Sequence, residues 1–137
     1  GRIVNDLAFL ALMTRLVITE EAGASVAIPV YAPTSLEHVA EAVGGRIHRV
    51  RASAEAMMQA AQRETPAFVG DGRGGFIWPK LHASFDGLLT IAKLLELLAP
   101  RHQPLSSFVD GTPEFYMARL KVDCPWEDKG RVMRLLA

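Results

Sequence analysis

The sequence predicts an α/β protein: a three-layer α/β/α sandwich around a mixed four-stranded sheet. Three observations carry this. Short apolar or alternating runs take turns with longer runs at helical spacing, which is the pattern of an α/β unit. The links between them are brief and rich in Gly, Pro and Ser. Two of the short runs, Ala67–Val69 and Phe76–Trp78, are separated only by a glycine-rich loop, so at least one antiparallel pair enters the sheet.

The elements follow in order. Val4 to Thr19 reads as a helix with Leu7, Leu10, Ala11, Thr14 and Val17 near one face. Ala8, Phe9, Leu12 and Met13 make the remaining faces apolar too, so wide burial is expected. Glu20-Glu21-Ala22-Gly23 closes it, with Gly23 as the left-handed residue. Ala24 to Val30 is a short apolar strand suited to cover on both faces. Pro29 speaks against a central place for it, because proline lacks a ladder donor. Thr34 or Ser35 caps a helix that runs to Val43 and stops at Gly44-Gly45. Arg46 to Val50 is a second strand, and Ser53 caps a helix over Ala54–Arg63 that ends before Thr65-Pro66. After the two strands flanking the glycine loop, Asp86 to Leu98 is a strongly apolar helix with Asp86 at the capping position.

Past Pro100 the character changes, and the chain divides into 1–100 and 101–137. Arg101 to Pro104 is a polar link, Leu105–Val109 a helical turn, Glu114–Val122 a strand, and Glu127 the start of another helix. This tail is too short to build a core and reads as the opening of a further domain. Residues 3–99 are expected to fold without it. The start at Gly1-Arg2-Ile3, without Met, fits the expectation of a piece excised from something longer.

Composition narrows the function classes. Half the residues are hydrophobic and 22% charged, enough apolar surface for a core and incompatible with general disorder. Fifteen basic residues balance fifteen acidic ones, which argues against nucleic acid as a partner. No apolar run is long enough to span a bilayer and no segment resembles a signal peptide, so no membrane partner is expected. With Cys124 as the one cysteine, an intrachain disulfide and a Cys-rich zinc site are excluded, and a cytoplasmic location is the simplest fit.

The glycine loop, Gly70-Asp71-Gly72-Arg73-Gly74-Gly75, is the most informative feature. Glycines allow positive φ and close approach of the backbone to a ligand. A phosphate-binding nucleotide loop needs a helix directly after it, and here Phe76-Ile77-Trp78 follows, so both nucleotide readings fail. A hairpin that merely turns would need only one or two glycines. This one also presents Asp71 and Arg73, an acceptor and a donor suited to sugar hydroxyls or phosphate. The other candidates have plainer readings. His38, His48, His82 and His102 show no metal-ligand spacing, and His82 is placed in the loop before Asp86. Cys124 has no neighbour that would activate it, and Ser53, Ser84, Ser106 and Ser107 have no base at hand.

The run Phe68-Val69-Gly70-Asp71-Gly72-Arg73-Gly74-Gly75, then a strand, then Asp86-Gly87 opening an apolar helix, resembles the third domain of the α-D-phosphohexomutases, the phosphomannomutase and phosphoglucomutase enzymes. That domain carries a sugar-recognition loop of the form G-E-x-S-G-H and a helix ending in leucines, here Leu94-Leu95-Glu96-Leu97-Leu98. Val26 to Val30, the helix from Ser35, Gly44-Gly45 and the strand to Val50 match it as well. The resemblance covers about residues 3–100, and the tail resembles the link into the family's fourth domain. Asp71 stands where the family has Glu, Arg73 where it has Ser, and Gly75 where it has His. Arg51-Ala52-Ser53-Ala54-Glu55 replaces a stretch that in the family has Gly and a Lys facing the phosphosugar.

The resemblance implies a sugar-recognising domain whose partners are a hexose phosphate and the other domains of the parent polypeptide. Phosphoryl transfer, its nucleophile and its Mg2+ would belong to the full-length mutase, with no catalytic residue and no metal in this chain. Asp71 and Arg73 would contact the sugar phosphate, and Gly70, Gly72 and Gly74 would permit backbone approach. The departures also resemble a subgroup in which a mutase-like region follows a sugar-nucleotidyltransferase, as in mannose-1-phosphate guanylyltransferase-like proteins. There the module would be regulatory or scaffolding, without catalysis.

Overall fold

Asn5 opens the first helix by accepting the Ala8 amide on its side chain at 2.8 Å, which satisfies an otherwise orphaned helix donor. In the computed structural model, which describes residues 3–112, 115, 118 and 120–136, this helix is α1 (Asp6–Glu20). It is buried from Leu10 to Thr14 and again from Leu16 to Ile18, the wide burial its all-round apolarity predicts. The buried Thr14 hydroxyl donates to the Leu10 carbonyl and so leaves no polar atom stranded. Gly23 takes its left-handed φ of 82° in the turn that follows.

The remaining elements are β1 (Ser25–Pro29), α2 (Ser35–Glu41), β2 (Arg46–Val50), α3 (Ala54–Arg63), β3 (Phe68–Gly70), β4 (Phe76–Trp78), β5 (His82–Phe85), α4 (Gly87–Leu98), α5 (Leu105–Asp110) and α6 (Trp126–Leu136), with a 3-10 turn at Ala99–Arg101. The sheet order is β2-β1-β3-β4-β5, parallel between β1 and its two neighbours and antiparallel from β3 onward. The fold is the expected α/β type with a mixed sheet, but the sheet has five strands, not four. The extra strand is His-Ala-Ser-Phe, so His82 lies not in a loop but on an edge strand opposite Trp78. Its composition gives no strand signal. A turn in which the Leu81 amide donates to the Trp78 carbonyl folds it back onto β4.

Pro29 nevertheless sits in an interior strand, β1, flanked by β2 and β3. It ends the strand opposite Val50, beyond the last β1–β3 pair at Ala27 and Val69, so its missing N–H interrupts no bond to β3. Caps at Ser53 and Asp86 are as expected, the side chains accepting the Ala56 and Leu89 amides. Thr34 makes no side-chain cap bond, and α2 stops at Glu41, short of Val43.

Side chains alternate across the sheet and divide the core. Val26, Ile28, Phe68, Phe76 and Trp78 face α1, α2 and α4, where Phe68 packs within 5.5 Å, ring to ring, of both Phe76 and Trp78. Ala27, Val69 and Ile77 face α3 and its Met57, Ala60 and Ala61. Trp78 donates its indole N–H to the buried Thr90 hydroxyl at 3.1 Å, fastening α4 to the sheet.

The polar link is tied into this body. Arg101 donates to the Leu97 carbonyl and pairs with Glu20 at 3.2 Å, with a largely buried side chain, so it is not the free exposed charge a linker suggests. Arg15 of α1 reaches the carbonyls of Phe108 and Gly111 at 2.9 and 3.1 Å and docks α5. The strand expected over Glu114–Val122 falls partly outside the described residues, and those described there carry no strand. The last helix starts at Trp126, whose side chain is exposed, as is that of Met133.

Candidate functional site

β1 and β3 run parallel, so the chain leaves both at the same end of the sheet. Carboxyl ends of parallel strands are where open α/β sheets place ligands. The turn after β1 carries Tyr31, and the turn after β3 is the glycine loop. Gly70 belongs to β3, paired with Phe76, and is not free loop backbone. The Asp71 amide donates to the Gly75 carbonyl at 2.9 Å and closes the hairpin.

Asp71 shapes this loop from within. Its Oδ1 accepts the Arg73 and Gly75 amides at 2.7 and 2.8 Å. The short Asp71 side chain therefore folds back on its own backbone, which is the usual Asx arrangement. Gly72 and Gly74 take φ of 69° and 92°, the left-handed values the turn requires. Gly75 is needed for a different reason: a Cβ there would lie 2.7 Å from Asp71 Oδ2 and 3.0 Å from the Phe85 ring. The Asp at 71 and the Gly at 75 are thus two halves of one packing solution.

Arg73 is exposed, and its guanidinium lies over the Tyr31 ring at 5.5 Å. Among the described residues no carboxylate stands within ion-pair distance of it. The Tyr31 hydroxyl donates to the Asp71 carbonyl. Beside the pair opens a cleft of about 440 Å3 lined by Asn5, Asp6, Leu7, Tyr31, Gly72, Arg73 and Phe115. The start of α1 supplies one wall and the glycine loop the other.

The structure brings Gly72 and Arg73 to this cleft, keeps Asp71 and Gly74 in the same loop outside its lining, and leaves the other candidates elsewhere. Asp86 caps α4. His48 pairs with Glu64 at 2.8 Å, and Arg51 lies on that same outer side of β2 and α3 with Arg63. Among the described residues no group of three or more His, Cys, Asp or Glu is placed to hold a metal, and no helix is long and apolar enough to cross a membrane. Sequence reasoning missed Tyr31. A lone Tyr between Val30 and Ala32 carries no local signal, and its role arises from a contact across 40 residues.

Comparison with known proteins agrees with this architecture. The family model for phosphoglucomutase/phosphomannomutase, alpha/beta/alpha domain III, matches residues 5–116. A probable phosphoglucosamine mutase of Methanopyrus kandleri is 32% identical over 136 residues, covering 99% of this chain and 30% of that protein. A phosphoglucomutase/phosphomannomutase of Thermococcus kodakarensis is 24% identical over 88% of this chain and 26% of its own length. A phosphopentomutase of the same organism is 27% identical over 100% of this chain and 30% of its own length. The chain therefore spans about a third or less of the curated relatives it matches. The crystal structure of a phosphoglucomutase/phosphomannomutase family protein from Burkholderia thailandensis superposes with a TM-score of 0.71 at 24% identity, over 83% of this chain and 25% of that one, and shares the fold. With the family model matched from the cap of α1 past α5, the chain belongs to the phosphoglucomutase/phosphomannomutase family, as its alpha/beta/alpha domain III.

Proposed function

We propose that this chain is the sugar-recognising domain of a larger phosphosugar mutase, and that the 70–75 loop and its cleft face the sugar phosphate. The observation that carries this is the cation Arg73, with no carboxylate at ion-pair distance among the described residues, beside a cleft lined by Gly72 and Tyr31 at the carboxyl ends of β1 and β3. In that role Arg73 donates to a phosphoryl oxygen or hydroxyl. Asp71 keeps one carboxylate oxygen for the loop and offers Oδ2 to a sugar hydroxyl. Gly72 and Gly74 keep Cβ atoms out of the way, whereas a Cβ at Gly70 would meet the core side chain of Leu10. The domain holds and orients the sugar. The phosphoryl-carrying nucleophile and the Mg2+ of the full reaction lie in other domains of the parent polypeptide. The names of the relatives span glucosamine, hexose and pentose phosphates, which leaves the sugar open.

A second reading has its own observation. Asp71 Oδ1 is engaged by the loop's own amides, which suits a module that has kept the family fold while giving up tight sugar binding. This is the non-catalytic, mannose-1-phosphate guanylyltransferase-associated form. Calorimetric titration of the full-length protein with hexose 1-phosphates separates the two. Under the first reading Arg73→Ala and Asp71→Ala each weaken binding by about one to two decades, the cost of a lost charged hydrogen bond. The remote Arg46→Ala leaves affinity unchanged. Equal affinity in all variants, or none in the wild type, selects the second reading.

A further inference from the structure

We infer that Tyr31, held in place by Arg49, is the positioning residue of the 70–75 loop and presents Arg73 as a fixed cation to an oxyanion of the ligand. The ligand half of this rests on the function proposed above; the positioning half does not.

The support begins on the edge strand. Arg49 donates to the Ala32 carbonyl at 2.6 Å, to Val30 at 3.2 Å, to Pro29 at 3.3 Å and to Pro33 at 3.4 Å. Its remaining donors meet the Glu37 carboxylate at 2.8 and 2.9 Å in a two-point contact. One planar guanidinium thus satisfies the carbonyls of a turn that would otherwise be open to water, a geometry lysine cannot supply. Pro29 and Pro33 already restrict φ at both ends of that turn. Tyr31 projects from the braced segment.

Tyr31 then grips the glycine loop at two points. Its hydroxyl binds the Asp71 carbonyl, and its ring underlies the Arg73 guanidinium. A loop with three backbone-permissive residues at 72, 74 and 75 has many conformations to choose among, and its own hydrogen bonds through Asp71 fix only its interior. The Tyr31 contacts fix its orientation relative to the sheet and the cleft. An ordinary exposed arginine loses side-chain freedom when it binds an anion. One already seated on an aromatic face has lost part of it beforehand, which favours binding.

The test is nuclear magnetic resonance on the 137-residue chain. In Tyr31→Phe the Arg73 side-chain resonances keep the ring-current displacement, while amide exchange at Arg73 and Gly75 rises about tenfold, the worth of one hydrogen bond. In Tyr31→Leu the displacement is lost as well. Arg49→Lys accelerates the same loop amides with Tyr31 intact. Exchange at Val26 and Phe68 in the core stays unchanged in Tyr31→Phe. Arg73 resonances and loop amides that ignore Tyr31→Leu overturn the assignment. So does an equal acceleration at Val26 and Phe68, which would make Tyr31 a general packing residue. Inorganic phosphate is the probe of the ligand half: it shifts the Arg73 resonances at lower concentration in the wild type than in Tyr31→Leu, and equal titrations overturn that half. The exchange readouts need no ligand, so a protein that binds no hexose phosphate at all overturns the proposed function and leaves the positioning role standing.

Discussion

The two faces of the sheet are built to different specifications. Toward α1 the strands offer Phe68, Phe76 and Trp78, and the helix answers with a long run of buried leucines, Met13 and Ile18. Toward α3 they offer Ala27, Val69 and Ile77, and the helix answers mainly with alanines and Met57. Hydrophobic stabilisation scales with apolar area removed from water, so the first face holds most of the folding free energy. The second depends on close approach between small side chains and dispersion contacts. The candidate cleft sits at the end of the thick face, where the first turn of α1 meets the glycine loop. The element that anchors the core thus also walls the site.

Substitutions along one strand should expose this asymmetry most strongly. Phe68→Ala, on the thick face, is expected to cost about 3–5 kcal/mol in urea unfolding. Its neighbour Val69→Ala, on the thin face, removes only two methyl groups and should cost about 2 kcal/mol. Equal losses would break the comparison. Next comes the thick layer's outer cover. A chain ending at Thr112 keeps the Arg15 bonds to Phe108 and Gly111, and one ending at Ala99 loses them together with the packing of Phe108. We expect the shorter chain to be about 3–4 kcal/mol less stable by thermal and denaturant melts, from the two Arg15 hydrogen bonds, the lost Arg101 brace between Leu97 and Glu20, and a partly buried ring. Indistinguishable transitions would put the boundary of the folding unit at residue 100, as the sequence reading had it.

Overpacking should discriminate in the opposite sense. Ala61→Leu on the thin face leaves no room for the added carbons and is expected to cost about 1–3 kcal/mol, whereas Leu12→Met on the thick face should cost less than about 1.5 kcal/mol. A tolerated Ala61→Leu would show the α3 layer to be looser than its small side chains indicate. The smallest effect is at the caps. Ser53→Ala and Asn5→Ala each remove one side-chain acceptor from a helix start and should each cost about 1 kcal/mol. Asn5 also lines the cleft, so only its replacement should alter phosphosugar affinity in the full-length protein. An affinity change in Ser53→Ala would mean that the thin face communicates with the site.

By itself the sequence determined what depends on neighbours within a turn or two. The all-round apolarity of residues 7–18 specified a deeply buried α1, and Ser53 and Asp86 marked helix starts because a capping side chain acts on an amide three residues ahead. The loop at 70–75 was legible because four glycines with an Asp and an Arg are a local anomaly, and the order of elements around it was enough to identify the domain. Only the tertiary structure decided the rest. The strand at His82–Phe85 exists because β4 offers it an edge, and nothing in those four residues favours extended backbone on its own. Arg101 became a brace, since the end of α1 brings Glu20 to it across 81 positions. Asp71 became an internal acceptor because the positive φ of Gly72 and Gly74 turns two amides onto it. Tyr31 and Arg49, silent in the sequence, acquired their place because parallel β1 and β3 end side by side, and adjacency of that kind is set by strand pairing over long separations, which periodicity and capping do not encode.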